Sequence, residues 1–223
     1  MKKSEIAKVT KACSILTKIL KQVVQNLKKN KFKTELDVAN FLKQKTKENN
    51  CKLAFKPIVA TRENAAEIHH KPNKTKLKNG FLVIDFGVKY KDYCSDCTRT
   101  FYLGKPTKQE IKIYYLVLLA QETALIHSHP NVYAADIDLI ARATLQDYYT
   151  HFIHGTGHGV GKRIHQAPSL KPRSRSILKE NQIITIEPGL YFKNKLGIRI
   201  EDTIIVKENP IILTKLTKRL ITT

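Results

Sequence analysis

The chain has 223 residues, 42% of them hydrophobic and 26% charged, with a formal net charge of +21. That length fits one domain with a real apolar core, and the four cysteines are too few for a disulfide framework. Lysines interrupt the apolar residues near the amino terminus, which argues against a signal peptide or a membrane span. We therefore expect a cytoplasmic protein with reduced thiols and no membrane partner.

The positive charge lies mostly in residues 1–80, which hold 20 basic and 6 acidic residues. It has two interpretations: a surface for nucleic acid or another acidic partner, or lysines spread over solvent-exposed helix faces. The lysines are neither interleaved with aromatic residues nor gathered in one run. This favours the second interpretation and disfavours a nucleic-acid partner.

Helical spacing of apolar residues over 4–28 predicts a first helix. Thr34 is positioned to cap a second helix that runs to about Lys47, and residues 52–60 have the composition of a strand. Thr107 and Glu110 form a capping box that opens a long helix to about His127. Asp136 is predicted to cap a further helix that ends near Gln146.

The first acidic hairpin follows the early helices. Asp85 and Asp96 lie in apolar, strand-like segments on either side of a short turn at Lys91–Asp92. We expect the two carboxylates to lie opposite each other on one face of a sheet. The alternative is structural: Asp85 could satisfy a turn amide while Asp96 pairs with Arg99.

The second acidic hairpin follows the later helices and places Glu187 and Glu201 about a turn at 193–195. Arg199 shares a strand face with Glu201, so it could support a ligand carboxylate or simply form a cross-strand ion pair. Between the hairpins, His154, Thr156 and His158 alternate in a glycine-rich segment, which predicts one common face. His165 follows closely enough to return to the same cavity.

Helices followed by an acidic hairpin, twice over, predict an α+β fold with a curved antiparallel sheet and helices on its outer face. Four crowded acids repel one another unless cations lie between them. Together with one histidine, they have the makeup of a two-metal site.

Four ordered motifs resemble the catalytic domain shared by aminopeptidase P, prolidase and methionine aminopeptidase. They are DFG with YCSDCTRTF (Asp85–Phe101), HGTGHGVG (His154–Gly161), TIEPGLY (Thr185–Tyr191) and GIRIED (Gly197–Asp202). The resemblance implies the pita-bread, or creatinase-like, fold with its pseudo-twofold symmetry. It also implies that residues 1–223 form a single metallopeptidase catalytic domain without a separate amino-terminal domain.

The resemblance further implies five metal ligands. Asp85 would chelate one divalent ion, Asp96 and Glu201 would bridge two, and His158 with Glu187 would hold the second. A bridging water would become the hydroxide that attacks a peptide carbonyl, and Glu187 would relay its proton. Manganese or cobalt is favoured for such ligands, with iron or zinc as alternatives.

Three histidines complete the implied site. His154 and His165 would contact the substrate and stabilise the oxyanion, while His69 would help position the substrate. The HGTGH motif and the pair His69–His70 are more similar to the proline-cleaving branch.

We therefore expect an exopeptidase that cleaves the amino-terminal Xaa-Pro bond of peptides, as an aminopeptidase or a dipeptidase. A methionine aminopeptidase-like enzyme and a non-catalytic protein- or RNA-binding member of the fold are the alternatives. Whether the chain forms a homodimer stays open.

Overall fold

A computed structural model describes all residues, 1–223. The α-helices are α1 (Lys3–Lys28), α2 (Glu35–Glu48), α3 (Lys108–Ile126) and α4 (Ala134–Thr144), and 3₁₀ helices cover Arg62–Ala66 and Gln146–His151. The strands of the first half are β1 (Lys52–Leu53), β2 (Ile58–Thr61), β3 (Gly80–Phe86), β4 (Val88–Tyr90), β5 (Tyr93–Cys94) and β6 (Cys97–Leu103). Those of the second half are β7 (Gly157–Gly159), β8 (Gln166–Leu170), β9 (Ile183–Ile186), β10 (Gly189–Phe192), β11 (Leu196–Arg199), β12 (Asp202–Ile205) and β13 (Ile211–Ile212).

Local sequence signals set most helix ends. The hydroxyls of Thr34 and Thr107 each accept a hydrogen bond from a backbone amide three residues on, which confirms both predicted caps. The prediction for α4 was wrong at its start, because the helix begins at Ala134 and Asp136 lies inside its first turn. The predicted strand at 52–60 is divided into β1 and β2.

The strands pair antiparallel in four small sheets, ordered β1-β4-β5, β2-β3-β6, β10-β11 and β13-β12-β9-β7-β8. All four cysteines are buried free thiols, so no disulfide joins these sheets. None of the helices combines the length and apolarity that a membrane crossing demands.

Two apolar cores divide the molecule into halves. In the first, α1 and α2 pack on β2, β3 and β6 through residues such as Leu16, Leu20 and Phe101. In the second, α3 and α4 pack on β9 to β12 through residues such as Val117, Ile137 and Ile204. Each half thus has helices on one side of antiparallel strands, which confirms the predicted α+β architecture.

The first acidic hairpin differs from its predicted register. Asp85 pairs with Thr98, not with Asp96, because the turn contains only Lys91 and Asp92, and Tyr90 pairs with Tyr93. Both turn residues have positive φ, as two-residue hairpin turns require. The displacement is two residues, so it leaves Asp85 and Asp96 on the same side.

The second acidic hairpin has the predicted register. Gly189 pairs with Arg199 before the acids, and Ile186 pairs with Asp202 beyond them. Both pairings continue to Glu187 opposite Glu201, in the short break between the two sheets. This break brings the two glutamates to the boundary between the molecule's halves.

Candidate metal centre

Buried carboxylate oxygens without partners mark the centre of the molecule. One oxygen each of Asp85, Asp96 and Glu201 is buried and has no hydrogen-bond donor. Ligand atoms of Asp96, His158 and Glu201 lie within 4.8 Å of one another. Because a buried anionic oxygen without a partner is costly, this arrangement calls for a cation.

Asp85 is held by an arginine from the second half of the chain. Nη2 of Arg199 donates to Oδ2 of Asp85 at 2.9 Å, which leaves the other carboxylate oxygen free. Arg199 therefore forms a hydrogen-bonded ion pair with a predicted ligand. The structural alternative for the first hairpin is wrong, because Arg99 pairs with Asp202 at 2.6 Å and not with Asp96.

Glu187 and His158 meet on the other side of the cluster. Nε2 of His158 lies 3.2 Å from Oε1 of Glu187 and 3.6 Å from Oδ2 of Asp96. The Thr185 hydroxyl donates to the same glutamate oxygen, and the Thr98 hydroxyl donates to Glu201. These threonines fix the glutamate side chains, and the second oxygen of Glu201 is left without a partner.

Glycine at position 157 lets the histidine strand approach its neighbour. A Cβ at Gly157 would collide with the carbonyl oxygen of Thr185 on β9. The strand β7 can therefore lie close enough for the backbone amide of His158 to donate to the Thr185 hydroxyl at 3.0 Å. This contact fixes the position of His158 relative to the acids.

Crowding also shows in the proton affinities of the acids in the metal-free protein. Burial raises the pKa of Asp96 and of Glu201 well above the ordinary range, and the neighbouring carboxylates raise both further. Burial also raises the pKa of Asp85, against the opposing charge of Arg199.

The Glu187 carboxyl behaves in the opposite way. Burial would raise its pKa, but the hydrogen bond and charge of His158, with His154 and Arg199 nearby, lower that pKa to about 2. Burial would lower the pKa of His158, yet its hydrogen bond to Glu187 gives a net increase. Glu187 is therefore the one acid of the cluster whose pKa is lowered and not raised.

His154 uses both ring nitrogens inside the protein. Nδ1 donates to the Gly155 carbonyl at 2.8 Å, so the neutral ring accepts at Nε2 from the Tyr191 hydroxyl, also at 2.8 Å. Burial lowers the pKa of His154 to about 4. Tyr191, which the sequence analysis missed, also accepts from Nη1 of Arg199 and so joins His154 to the support of Asp85.

Helix α4 anchors the histidine segment, another feature that sequence reasoning missed. Asp138 accepts from both the amide and the hydroxyl of Thr156, and Arg142 donates to the backbone carbonyl of His154. Thr156 is therefore turned toward α4 and not toward the acids, so the expected common face of three side chains was wrong for this residue. The i, i+4 spacing of Asp138 and Arg142 was the available signal.

Two cavities meet over the acid cluster. The smaller has a volume of about 470 Å³ and is lined by Asp85, Asp96 and Arg199, among others. The larger has a volume of about 810 Å³ and is lined by His154 and by residues of β8. His69, His158, His165 and Glu187 line both, so the two cavities form one continuous cleft.

His165 and His69 reach this cleft from exposed segments. The ring of His165 meets that of His158 edge-on, with centroids 4.3 Å apart. Burial and the charge of His158 lower the pKa of His165. The ring nitrogens of His165 and His69 have no partner inside the protein, in contrast to those of His154, so they are free to contact a ligand.

A buried glutamate holds the loop that carries His69. Glu35 on α2 accepts from the backbone amide of Thr61 and from Asn64, and its other oxygen lies 2.8 Å from Nε2 of His70. His70 in turn lies 3.1 Å from Glu67. This contact, absent from the sequence predictions, fixes the segment directly beside His69.

The chain belongs to metallopeptidase family M24, whose model matches residues 7–208. It is similar to the Xaa-Pro dipeptidase of Pyrococcus furiosus, with 37% identity over 93% of this chain and 60% of the relative. The predicted family is therefore confirmed, and a metallopeptidase family implies divalent metal ions.

Solved structures confirm the fold as well. A prolidase from Thermococcus sibiricus superposes with a TM-score of 0.94 at 35% identity and covers 100% of this chain and 62% of its own. The X-Pro aminopeptidase of Thermotoga maritima gives the same TM-score at 32% identity, with 100% and 64% covered. The predicted pita-bread fold is thus confirmed, although this chain spans less than two thirds of these relatives' length.

Proposed function

We propose that the protein is a dinuclear metal-dependent exopeptidase that hydrolyses the amino-terminal Xaa-Pro bond of peptides. One observation carries the proposal: five potential ligands from separate segments converge at one cleft, and three of their buried oxygens lack any partner. Relatives described as Xaa-Pro dipeptidase and prolidase support the choice of bond.

The residues fit two divalent cations in the proposed arrangement. Asp85 would hold one cation, His158 with Glu187 would hold the other, and Asp96 and Glu201 would be shared by both. When bound, such ions supply a water that is acidic enough to act as a nucleophile near neutral pH. Four carboxylates and one imidazole favour manganese or cobalt.

The remaining roles follow from which groups are free. Glu187, ionised and beside the cleft, accepts the proton of the attacking water and passes it to the leaving nitrogen. His165 donates to the carbonyl oxygen as negative charge develops there, since its ring nitrogens are unengaged. His154 contacts the substrate as a wall of the larger cavity, because both its nitrogens are already bonded. His69 contacts the substrate from the opposite rim.

Metal add-back on stripped protein tests the function. Protein freed of metal should cleave no peptide, and manganese or cobalt should restore cleavage of Ala-Pro peptides more than iron or zinc does. Met-Ala-Ser should be a poor substrate. Faster cleavage of Met-Ala-Ser would instead identify a methionine aminopeptidase-like enzyme, and failure to take up metal would point to the non-catalytic alternative.

An Asp96→Asn variant tests the bridging ligand. Loss of a bridging carboxylate should lower kcat/KM by more than about a hundredfold, because both cations lose a ligand. Asp92→Asn is the matched control, since Asp92 lies in the exposed turn of the same hairpin. Retained activity in the Asp96 variant would contradict the dinuclear site.

A further inference from the structure

Two lysines in the smaller cavity have no acidic partner. Lys56, before β2, and Lys71, after the His69–His70 pair, both line this cavity. The lysines that form ion pairs are Lys45, Lys207 and Lys218, so neither cavity lysine has its charge matched. The carboxylates that line the same cavity are Asp85, Asp96 and Glu187, all of which are assigned to the cations.

The relative size of the two cavities indicates which part of a peptide enters each. An exopeptidase must receive one amino-terminal residue on one side of the bond, and proline with any following chain on the other. The cavity of about 470 Å³ suits the single residue, and the cavity of about 810 Å³ suits the longer part. The residues that line both cavities, including Glu187 and His158, then flank the bond itself.

The walls around the two lysines suit a side chain that is apolar near its backbone and charged at its tip. Phe55, Pro57, Ile58, Ile68 and Pro72 line the cavity next to Lys56 and Lys71. A glutamate side chain could place its methylene groups on these walls and its carboxylate near the ammonium groups. A lysine or arginine in the same place would meet two like charges.

We propose that Lys56 and Lys71 select peptides with an acidic residue before proline. The proposal rests on the proposed Xaa-Pro hydrolysis and names its preferred substrate class. The overall charge of +21 acts in the same direction, because a basic surface draws acidic peptides toward the cleft.

A peptide series in which only the first residue changes tests this preference. Glu-Pro, Ala-Pro and Lys-Pro peptides with the same following residues are compared on metal-loaded protein. We expect kcat/KM for Glu-Pro to exceed that for Lys-Pro about tenfold at low ionic strength, and the ratio to shrink in high salt. A ratio of one would overturn the proposal.

Charge reversal distinguishes the effect of the two cavity lysines from the effect of the protein's net positive charge. In the double variant Lys56→Glu/Lys71→Glu the preference should invert, so that Lys-Pro is cleaved faster than Glu-Pro. The double variant Lys74→Glu/Lys78→Glu is the control, with the same change of charge at exposed lysines outside both cavities. An equal change in the control, or no change in the cavity variant, would overturn the proposal.

The Ala-Pro peptide keeps the two proposals distinguishable. If all variants cleave Ala-Pro but none discriminates between Glu-Pro and Lys-Pro, the proposed preference for an acidic residue fails while Xaa-Pro hydrolysis stands. If no Xaa-Pro peptide is cleaved by the metal-loaded protein, the proposed function fails and the preference fails with it.

Discussion

At the scale of single residues, Tyr191 connects two parts of the cleft. Its hydroxyl lies 2.8 Å from both Nε2 of His154 and Nη1 of Arg199, and Arg199 holds Asp85. Burial raises the pKa of Tyr191 to about 12, so the hydroxyl keeps its proton for His154. The sequence alone could not reveal this contact, because neither hydrophobic periodicity nor a motif indicates which distant side chains meet in the fold.

Replacing Tyr191 by phenylalanine removes that hydroxyl and little else. Hydrogen bonds to charged groups contribute roughly 1.5–3 kcal/mol, so we expect kcat/KM on an Ala-Pro peptide to fall about tenfold or more. Bound metal, measured by mass spectrometry, should stay at the parent level because all five proposed ligands remain. Tyr149→Phe, at an exposed position, serves as the control. Parent-level activity in Tyr191→Phe would show that the connection is not used.

The buried imidazole of His154 makes a prediction about pH. Its pKa is about 4 in the folded protein against an ordinary value of 6.5, so the unfolded chain binds the proton more tightly. Stability from this residue is therefore complete above pH 6.5 and is lost as the pH falls toward 4.

The difference between the parent protein and His154→Phe isolates this contribution. The free energy of unfolding of the parent should rise by roughly 2 kcal/mol more than that of the variant between pH 4 and 6.5. His127→Gln, at an exposed position, should follow the parent. Parallel stability curves for the parent and His154→Phe would contradict a neutral His154 ring with both nitrogens hydrogen-bonded.

At the scale of elements, the loop that carries His69 depends on α2. Replacing Glu35 by glutamine puts an NH2 group in the place of one carboxylate oxygen and removes the negative charge. This weakens the contacts of residue 35 with His70 and the Thr61 amide. We expect KM for an Ala-Pro peptide to rise about fivefold with unchanged metal content, and trypsin to cleave faster after Lys74, which follows the Asn73 amide that also donates to Glu35.

Glu67→Gln is the matched control for that experiment. Glu67 contacts the other ring nitrogen of His70 but is largely exposed, so its loss should change KM and the rate of tryptic cleavage little. If Glu35→Gln lowers kcat and metal content while KM stays constant, the loop is not the element that Glu35 positions.

Elements also show where prediction from the sequence succeeds. Helical spacing and capping boxes located α1, α2 and α3 to within a residue or two, because these signals are local. The register of the Glu187–Glu201 hairpin was predicted correctly, whereas that of the Asp85–Asp96 hairpin was displaced by two residues. In both hairpins the predicted register places the two acids on one face of the sheet, because an even displacement changes the paired residue but not the face.

At the scale of the whole molecule, the candidate ligands join the two halves. Asp85 and Asp96 belong to the half built on α1 and α2, while His158, Glu187 and Glu201 belong to the half built on α3 and α4. The sequence predicted these five residues as ligands through ordered motifs that resemble those of a known family. It could not indicate the supporting contacts of Asp138, Glu35 and Tyr191, which arise only when the halves and their loops are assembled.

A cation shared by the two halves should stabilise the entire fold. A ligand at a hundred times its dissociation constant adds about 2.7 kcal/mol to the free energy of unfolding, and for a chain of this size each kcal/mol corresponds to about 2–4 °C in Tm. We therefore expect manganese to raise the Tm of stripped protein by about 5–10 °C. In Asp96→Asn, one buried charge of the crowded acids is gone, so the metal-free variant should melt higher than the metal-free parent and gain little from manganese. A parent Tm that is equal with manganese and with chelator would show that the acids do not hold a cation.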